Sequence, residues 1–203
     1  MDLVLIRHPA VAVEAGVCYG ASDVALAGDA AQEASALAGR LDTLGARAPA
    51  RIESSPLTRC AHVANALGTT HGVVPRIDAR LAEMDFGAWE LQRWDAIGRE
   101  QIDAWAADFD HARPHGGESV AQFEARVRAW FDEGASVAAP GRPLPLEDVA
   151  WVVTHAGVIR AMTACALGLS LSRCVRWRLE YGALVWLRRE ARGGPWLLVR
   201  WNA

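Results

Sequence analysis

Two short apolar runs, each ending on polar residues, constrain the fold of this chain more than any other feature. Residues 3–6 (LVLI) end at Arg7 and His8, and residues 149–154 (VAWVVT) end at His155. Continuous apolar runs of this length are typical of parallel strands that are buried on both faces. Because open α/β sheets bind ligands at the carboxyl ends of such strands, we expect two imidazoles to share one pocket if the two strands are neighbours.

Extended and helical patterns alternate along the rest of the chain. Helices are predicted over residues 29–44, 57–67, 92–107, 120–131 and 158–167, and further strands over residues 51–54, 73–77, 183–187 and 196–201. This alternation predicts a single α/β domain over residues 1–203, with three layers (α/β/α) and a mostly parallel central sheet. The last two strands, joined by residues 191–194, predict a C-terminal antiparallel hairpin.

The segments between these patterns suggest how the domain is divided. Residues 80–131 contain helical patterns but no clear strand, so we expect a helical cap insertion over the functional edge of the sheet. Residues 140–145 predict a proline-rich linker. Ser55, followed by Pro56, is predicted to cap the helix of residues 57–67, and Ser119 is predicted to cap the helix that follows it.

Charge balance and hydropathy argue against two classes of partner. The chain has 21 Lys+Arg and 24 Asp+Glu, which gives a formal net charge of −3, and all 21 of these basic residues are arginines. With no sequence-wide positive field to hold a polyanion, nucleic acid is not an expected partner and any phosphate chemistry must be local. No apolar run approaches the roughly 18 to 20 residues that span a bilayer. The chain also starts without a basic leader or signal-peptide core, so we predict a cytoplasmic protein without a membrane partner.

Between the two predicted strand ends the chain supplies a cation and an acid. Arg59 falls in the first turn of the helix behind Ser55, and Glu83 lies in a loop. Each has a simpler structural interpretation, since an isolated arginine on a helix is more often a surface salt-bridge partner. Asp85 and Glu90 are local alternatives to Glu83 as the functional acid, and any of the three acids could simply be solvated.

Four motifs in this order resemble the histidine phosphatase superfamily, also called the phosphoglycerate mutase-like family. They are Arg7-His8, the segment around Arg59, Glu83, and His155-Ala156-Gly157, and the resemblance extends over residues 3–167. The pair Trp89-Glu90 and residues 114–119 (PHGGES), followed by Phe123 and Arg126, are most similar to the alpha-ribazole phosphatase branch. The resemblance implies the phosphoglycerate mutase-like version of the three-layer fold.

The resemblance also implies the catalytic roles of three residues, of which His155 would stabilise the charge that builds in the transition state. His8 would be the nucleophile that forms a phosphohistidine, and Glu83 would donate a proton to the leaving oxygen. The attacking nitrogen must be neutral, and a backbone carbonyl that accepts from the other ring N–H would hold the required tautomer.

Phosphate binding is implied at a second set of residues, namely Arg7, Arg59, His155 and the backbone at Ala156. Guanidinium groups bind phosphate oxygens in a bidentate manner, and N–H groups at the start of a helix add donors. This concentration of donors is needed because hydrolysis of phosphate monoesters is among the slowest uncatalysed reactions in biology.

The chain departs from the family pattern at several positions. Pro9 replaces the usual glycine after His8, Val11 replaces a frequent hydroxyl residue, and Leu91 replaces the glycine that often follows the Trp-Glu pair. Glu14 stands near a position where many members have a phosphate-facing asparagine. The candidate substrate contacts are Glu14, Tyr19 and Trp89.

These observations favour a metal-independent phosphomonoesterase that acts through a phosphohistidine on a small phosphorylated metabolite. The implied activity is that of an alpha-ribazole 5′-phosphate phosphatase or of a related small-molecule phosphatase, and neither a metal nor an organic cofactor is expected. A phosphoglycerate mutase is one alternative. A non-catalytic pseudophosphatase that binds phosphoesters is another, motivated by the altered loop after His8. The apolar C-terminal hairpin could pair with a second copy of the chain, which would form a homodimer.

Overall fold

A six-stranded sheet forms the centre of the computed structural model, which describes residues 1–136, 149–191 and 193–203. The strands are β1 (Asp2–Arg7), β2 (Arg51–Ser54), β3 (Arg76–Ile77), β4 (Val149–Thr154), β5 (Leu184–Arg189) and β6 (Trp196–Arg200). Their order across the sheet is β3-β2-β4-β1-β5-β6. The predicted linker at residues 140–145 lies outside the described residues.

Helices connect and cover the strands. They are α1 (Ala30–Thr43), α2 (Thr58–His71), α3 (Arg99–Ala107), α4 (Val120–Ser136), α5 (Ala156–Leu167) and α6 (Leu171–Cys174), with 3₁₀ turns at Ala79–Leu81 and Gly87–Trp89. Among the described residues, none of these helices is both long and apolar enough to cross a membrane.

The pairing of the strands confirms the predicted fold class. The pairs β1–β4, β2–β4 and β2–β3 are parallel, whereas β5 pairs antiparallel with both β1 and β6. All six residues of β4 are buried, as the unbroken apolar run of residues 149–154 predicts. The sheet is therefore mostly parallel, with an antiparallel pair at its C-terminal edge.

Side chains that alternate along β1 fill two cores, one on each face of the sheet. Leu3 and Leu5 belong to a core that α4 and α5 complete, and Val4 and Ile6 belong to a core that α1 and α2 complete. Successive side chains of a strand point to opposite faces, so an unbroken apolar strand requires a helical layer on both sides. Of the segment 80–131, helix α4 thus lies within one of these layers.

One predicted helix is much shorter than expected. Its pattern covers residues 92–107, but α3 begins only at Arg99. The backbone of the preceding residues is bonded to another loop: Cys18 N–H donates to the carbonyl of Gln92 (2.8 Å), and Trp94 N–H donates to the carbonyl of Gly16 (2.8 Å). These long-range bonds use the groups that a helical turn would need, so tertiary pairing overrides the local pattern.

The strand predicted over residues 73–77 is reduced to two residues, β3. Val73 N–H donates back to the carbonyl of Gly68 at the end of α2, and Pro75 has no N–H to contribute to a ladder. Only Arg76 and Ile77 pair with β2. The apolar character of this segment is typical of a strand, but its backbone donors are used elsewhere.

The two predicted serine caps have different outcomes. Ser119 Oγ accepts from Gln122 N–H (3.1 Å), and Gln122 Oε1 accepts from Ser119 N–H (2.9 Å), which is a complete capping box. The prediction for Ser55 was wrong, because the residue before α2 is Leu57, which makes no side-chain cap bond. Instead the carboxylate of Asp23, distant in sequence, accepts from the backbone N–H of Thr58 at the start of α2 (2.8 Å).

Candidate active site

The register of β1 against β4 brings the two histidines together. Arg7 faces Thr154 in this parallel pair, and His8 N–H donates to the carbonyl of Thr154 (2.9 Å). His8 and His155 are therefore neighbours at the carboxyl edge of the sheet, with ring centroids 5.2 Å apart and planes at 62°. The sequence expectation that two distant imidazoles share one pocket is met by adjacent parallel strands.

His8 is buried and held in a defined tautomer. Its Nδ1 lies 2.7 Å from the carbonyl oxygen of Pro9, and because a carbonyl can only accept, Nδ1 carries the hydrogen. The Nε2 atom is left with a lone pair. Burial, together with the positive charges of Arg59 and Arg7, lowers the pKa of His8 from 6.5 to about 3, although the Pro9 hydrogen bond opposes this shift. The ring is therefore neutral near pH 7.

His155 is buried between β4 and α2. Its Nε2 lies 2.8 Å from the hydroxyl of Ser55, and the thiol of Cys60 lies 3.5 Å from the same nitrogen. Burial holds the pKa of His155 well below its usual value, and repulsion from Arg59, and from His8 whenever that ring is protonated, adds to the effect. The role of Ser55 was missed because its position was attributed to a helix cap. It directly follows β2, however, and the strand-end rule applied to β1 and β4 would have found it.

Arg59 is fully buried at the start of α2 and has no carboxylate partner within the described residues. Its two terminal nitrogens donate to the carbonyls of Ser22 and Gly20, each at 2.7 Å. Glu90, a candidate acid in the sequence, holds that carbonyl-bearing loop: it accepts from the backbone N–H groups of Ala21 (2.8 Å) and Ser22 (2.5 Å). Glu90 therefore shapes the loop that positions Arg59.

Arg7 is the second cation of the site. Its guanidinium carbon lies 4.0 Å from the centroid of the Tyr181 ring, and one terminal nitrogen donates to the carbonyl of Leu179. The buried Nε atoms of Arg7 and Arg59 both lack a hydrogen-bond partner among the described residues. Buried polar donors are rarely left unsatisfied in proteins, so two unused guanidinium N–H groups in one cluster indicate an anionic ligand.

Two tyrosines line the space above the histidines. Tyr19 lies 6.4 Å from His8 between ring centroids, and its hydroxyl is 2.8 Å from that of Tyr181. Tyr181 was missed in the sequence because it precedes β5. That strand runs antiparallel to β1, so the N-terminal end of β5 and the carboxyl end of β1 meet at one edge. Only knowledge of the pairing could have revealed this.

The side chain of Glu83 contacts the N-terminal end of α5 and lines the same cavity as His8. Its Oε2 accepts from Gly157 N–H (2.9 Å) and its Oε1 accepts from Met84 N–H (3.1 Å). Gly157 leaves no space for a side chain, because a Cβ there would lie 3.0 Å from the Glu83 Cδ and closer still to Oε1. Of the three acids considered, only Glu83 lines the cavity beside His8.

Arg126 fixes the backbone of the segment that carries Glu83. One of its terminal nitrogens donates to the carbonyls of Arg80 (2.8 Å) and Ala82 (2.7 Å), and the other donates to the carbonyl of Glu83 (3.0 Å). The carboxylate of Glu118 pairs with the same guanidinium at 2.7 Å. Arg126 and Glu118, which stand out in the sequence only through a family resemblance, therefore hold in place the backbone that carries Glu83.

A cavity of about 180 Å³ brings Arg7, His8 and Glu83 onto one wall, whereas Arg59 and His155 do not line it. It is lined by Arg7, His8, Val17, Cys18, Tyr19, Gly20, Glu83, Phe86, Trp94 and Ala156. Ala156 and Tyr19 are thus placed where the sequence predicts. Two other predicted substrate contacts are not: Glu14 is exposed, and Trp89 is only 2% exposed, with its indole N–H donating to Gln101 (2.8 Å). Trp89 packs against Trp94, which keeps its large apolar indole ring away from water.

Two of the histidines stand four residues apart without sharing the face of a helix. His111 and His115 are four residues apart, but residues 108–118 are not helical. The His115 ring packs 4.8 Å from that of Trp89 instead. Within the described residues, no three His, Cys, Asp or Glu side chains come together as a metal site.

Comparison with known proteins agrees with this arrangement. The family model described as histidine phosphatase superfamily (branch 1) matches residues 3–203. The chain belongs to this superfamily. Glucosyl-3-phosphoglycerate phosphatase of Mycobacterium tuberculosis is a relative that is 32% identical over 187 residues, covering 80% of this chain and 77% of that protein.

Two further proteins similar to this chain carry the name of the branch noted in the sequence. The adenosylcobalamin/alpha-ribazole phosphatase of Escherichia coli K12 is 27% identical over 131 residues, covering 63% of this chain and 61% of that protein. The crystal structure of the alpha-ribazole phosphatase from Shigella flexneri superposes with a TM-score of 0.82, at 23% identity, over 100% of this chain and 96% of that one. At that identity the superposition establishes the shared fold.

Proposed function

We propose that this protein hydrolyses phosphate monoesters of small metabolites without a metal, through a phosphohistidine on His8. One observation carries the proposal: a neutral imidazole with a free Nε2 lone pair lies beside the buried Arg59 and the half-buried Arg7, whose guanidinium groups have no carboxylate partner in the described part of the chain. The pocket thus presents a nucleophile together with unneutralised positive charge. A phosphate dianion supplies the missing negative charge.

In the first step, the Nε2 lone pair of His8 attacks phosphorus. The P–N bond forms while the bond to the leaving oxygen breaks, and the carboxyl proton of Glu83 passes to that oxygen. Arg7 and Arg59 neutralise the non-bridging oxygens, and His155 donates a further hydrogen bond. The Pro9 carbonyl stabilises the imidazolium-like product, because it already accepts from Nδ1–H.

In the second step, a water molecule replaces the alcohol beside Glu83. The carboxylate takes a proton from the water, whose oxygen attacks phosphorus while the P–N electrons return to Nε2 of His8. The products are the free alcohol and inorganic phosphate, and both the ring and the acid regain their initial states.

The finer proposal is the substrate. Alpha-ribazole 5′-phosphate is the candidate suggested by the Trp89-Glu90 and PHGGES segments and by the name of the Escherichia coli relative. The mycobacterial relative is named for a different substrate, glucosyl-3-phosphoglycerate. Both compounds therefore belong in the first panel of substrates, together with 3-phosphoglycerate and a bisphosphate primer as a test of mutase activity.

The decisive experiment is detection of the covalent intermediate. The protein is mixed with excess p-nitrophenyl phosphate, quenched without acid and analysed by mass spectrometry for phosphohistidine. We expect label on His8, none in His8→Ala, and an unchanged amount in the exposed-histidine control His62→Ala. Dialysis against EDTA should leave phosphate release intact.

Four outcomes would contradict the proposal. Label on another residue would refute the role of His8, and loss of activity in EDTA would show that a metal is required. Absence of both label and phosphate release across the panel would favour the non-catalytic pseudophosphatase. Transfer of the phosphoryl group to 3-phosphoglycerate faster than to water would favour the mutase.

A further inference from the structure

A second, larger cavity adjoins the one beside His8. Its volume is about 460 Å³, and it shares four lining residues with the smaller cavity, namely Glu83, Phe86, Trp94 and Ala156. The remaining lining residues are Met84, Trp105, Phe109, Val120, Phe123, Gly157, Arg160, Leu171 and Val175. The catalytic pocket and this apolar cavity therefore have a common wall, and Glu83 stands on it.

The lining of the larger cavity is almost entirely hydrophobic. Phe86 and Trp94 pack edge to face at 5.4 Å between centroids, and Trp105 lies 5.6 Å from Phe109. The only charged side chains in the lining are Glu83 and Arg160. Arg160 already donates twice to the carbonyl of Trp177, at 3.0 and 2.9 Å. Such a wall offers little to the hydroxyl groups of a sugar but binds apolar rings well.

The position of Glu83 gives the direction of the leaving group. In an in-line displacement the leaving oxygen is opposite the attacking Nε2 of His8, and it must lie next to the acid that protonates it. Whatever is attached to that oxygen then extends past Glu83, away from His8. The apolar cavity shares Glu83 and three further lining residues with the catalytic pocket, more than the polar cavity described next, which shares only Glu83.

A polar cavity of about 530 Å³ also touches Glu83, and it is the competing location. Its lining includes Asp85, Arg113, Glu118 and Arg126, but of the residues beside His8 it contains only Glu83. It lies on the side where Arg126 holds the backbone of residue 83. A sugar or carboxylate leaving group would favour this second location.

We propose that the apolar cavity binds the leaving group, so that the preferred substrates are phosphate monoesters of alcohols with an aromatic body. This inference rests on the proposed function, because it places the phosphoryl group at His8. Selectivity then comes from burial of the ring among Phe86, Trp94 and Trp105, and the polar cavity takes no part in it.

The test compares substrates whose reacting ends are chemically alike. Both 2-(2-naphthyl)ethyl phosphate and ethyl phosphate release a primary alcohol, so they differ mainly in the group that the cavity would bury. Glucose 6-phosphate serves as the polar competitor. We expect kcat/KM for the naphthyl ester to exceed that for ethyl phosphate and for glucose 6-phosphate by at least about tenfold, in line with the burial of one bicyclic ring.

A matched pair of variants links this selectivity to the cavity. Val175 lines the cavity and is 39% exposed, so Val175→Asp places a charge in the lining with little effect on the fold. Val74 is 93% exposed and lies outside the lining, so Val74→Asp introduces the same change elsewhere. We expect the naphthyl-to-ethyl ratio of kcat/KM to fall at least about tenfold in Val175→Asp and to keep its wild-type value in Val74→Asp.

Failure of this inference is distinguishable from failure of the proposed function. The inference would be overturned by a naphthyl-to-ethyl ratio of kcat/KM near one, by a preference for glucose 6-phosphate, or by an unchanged ratio in Val175→Asp. In each of these cases the release of phosphate would leave the phosphatase proposal intact. If no ester is hydrolysed, the same esters are titrated while tryptophan fluorescence is recorded. Naphthyl ester binding at least about tenfold tighter than ethyl phosphate, and weakened in Val175→Asp, would still support the cavity assignment, whereas equal binding would overturn it.

Discussion

Replacing Gly157 with alanine tests the position of Glu83 without removing any catalytic group. A Cβ at residue 157 would lie 3.0 Å from Cδ and 3.2 Å from Oε2 of Glu83, with Oε1 nearer still. Ordinary contacts between such atoms begin near 3.5 Å. The glutamate is the far end of a flexible side chain, so it yields and the helix does not.

The size of the effect follows from this displacement. The carboxyl group must move by about 1 Å, and a misplacement of that size is sufficient for a loss of about 100-fold. Stability should change little, because alanine gains about 0.5–1 kcal/mol over glycine inside a helix. That gain offsets the weakened bond between Gly157 N–H and Glu83, which is worth a similar amount.

The assay uses leaving groups of different basicity. A simple alkyl phosphate needs a proton on its leaving oxygen, whereas p-nitrophenolate leaves without one. We therefore expect kcat/KM to fall about 100-fold for ethyl phosphate in Gly157→Ala, and by a much smaller factor for p-nitrophenyl phosphate. Gly39→Ala is the matched control, since Gly39 is also helical and a Cβ there meets nothing within 4 Å.

Equal losses for both esters would refute the reasoning, because the damage would then not lie in proton donation. Full activity of Gly157→Ala toward ethyl phosphate would remove Glu83 from the proton-donor role. A large drop in the free energy of unfolding would show that the helix, and not the acid, had absorbed the added methyl group. The control should be fully active and slightly more stable than the wild type.

Three further predictions concern stability, each measured by urea unfolding in phosphate-free buffer. His8 and His155 have lowered pKa values in the native state, so protonation below pH 6.5 favours the unfolded chain. Between pH 7 and pH 5 the free energy of unfolding should fall by about 2 kcal/mol from His8 alone, and His155 should add to this fall; an equal fall in His8→Asn would contradict this. Leu91 has φ +63°, so Leu91→Gly should stabilise by about 1 kcal/mol, whereas an equal gain in Leu91→Ala would exclude backbone strain as the cause. Arg126→Met, which removes the donor to three carbonyls, should destabilise by about 2–3 kcal/mol, and a matching loss in the exposed control Arg128→Met would disprove a specific role for that contact.

Local sequence patterns were sufficient wherever the chain's neighbours in sequence decide its structure. The unbroken apolar runs of β1 and β4 and the capping box of Ser119 and Gln122 are examples. Patterns failed where distant segments supplied the hydrogen bonds. Residues 92–98 are not helical because a loop near Gly16 binds their backbone, and the start of α2 is capped by Asp23 instead of by the preceding serine.

The residues of the candidate site also fall into those that the sequence predicts and those that only the fold reveals. His8, His155, Arg59 and Glu83 were predicted from four motifs in the order that resembles the superfamily, and each residue type fits what phosphoryl transfer needs, namely a nucleophile, cations and an acid. The sequence could not name Tyr181, which reaches the site through an antiparallel pairing. It also misplaced Trp89, which is buried in the aromatic cluster behind the cavity.

By itself, the sequence predicted the fold class from patterns within single strands and helices, and it indicated the chemical class of the site through motifs that resemble the superfamily. Tertiary structure decided the register that joins His8 to His155, the tautomer held by Pro9, and the division of space around Glu83 into an apolar and a polar cavity. The physical reason is that contacts between segments far apart in the chain depend on strand order and packing, which no local pattern records.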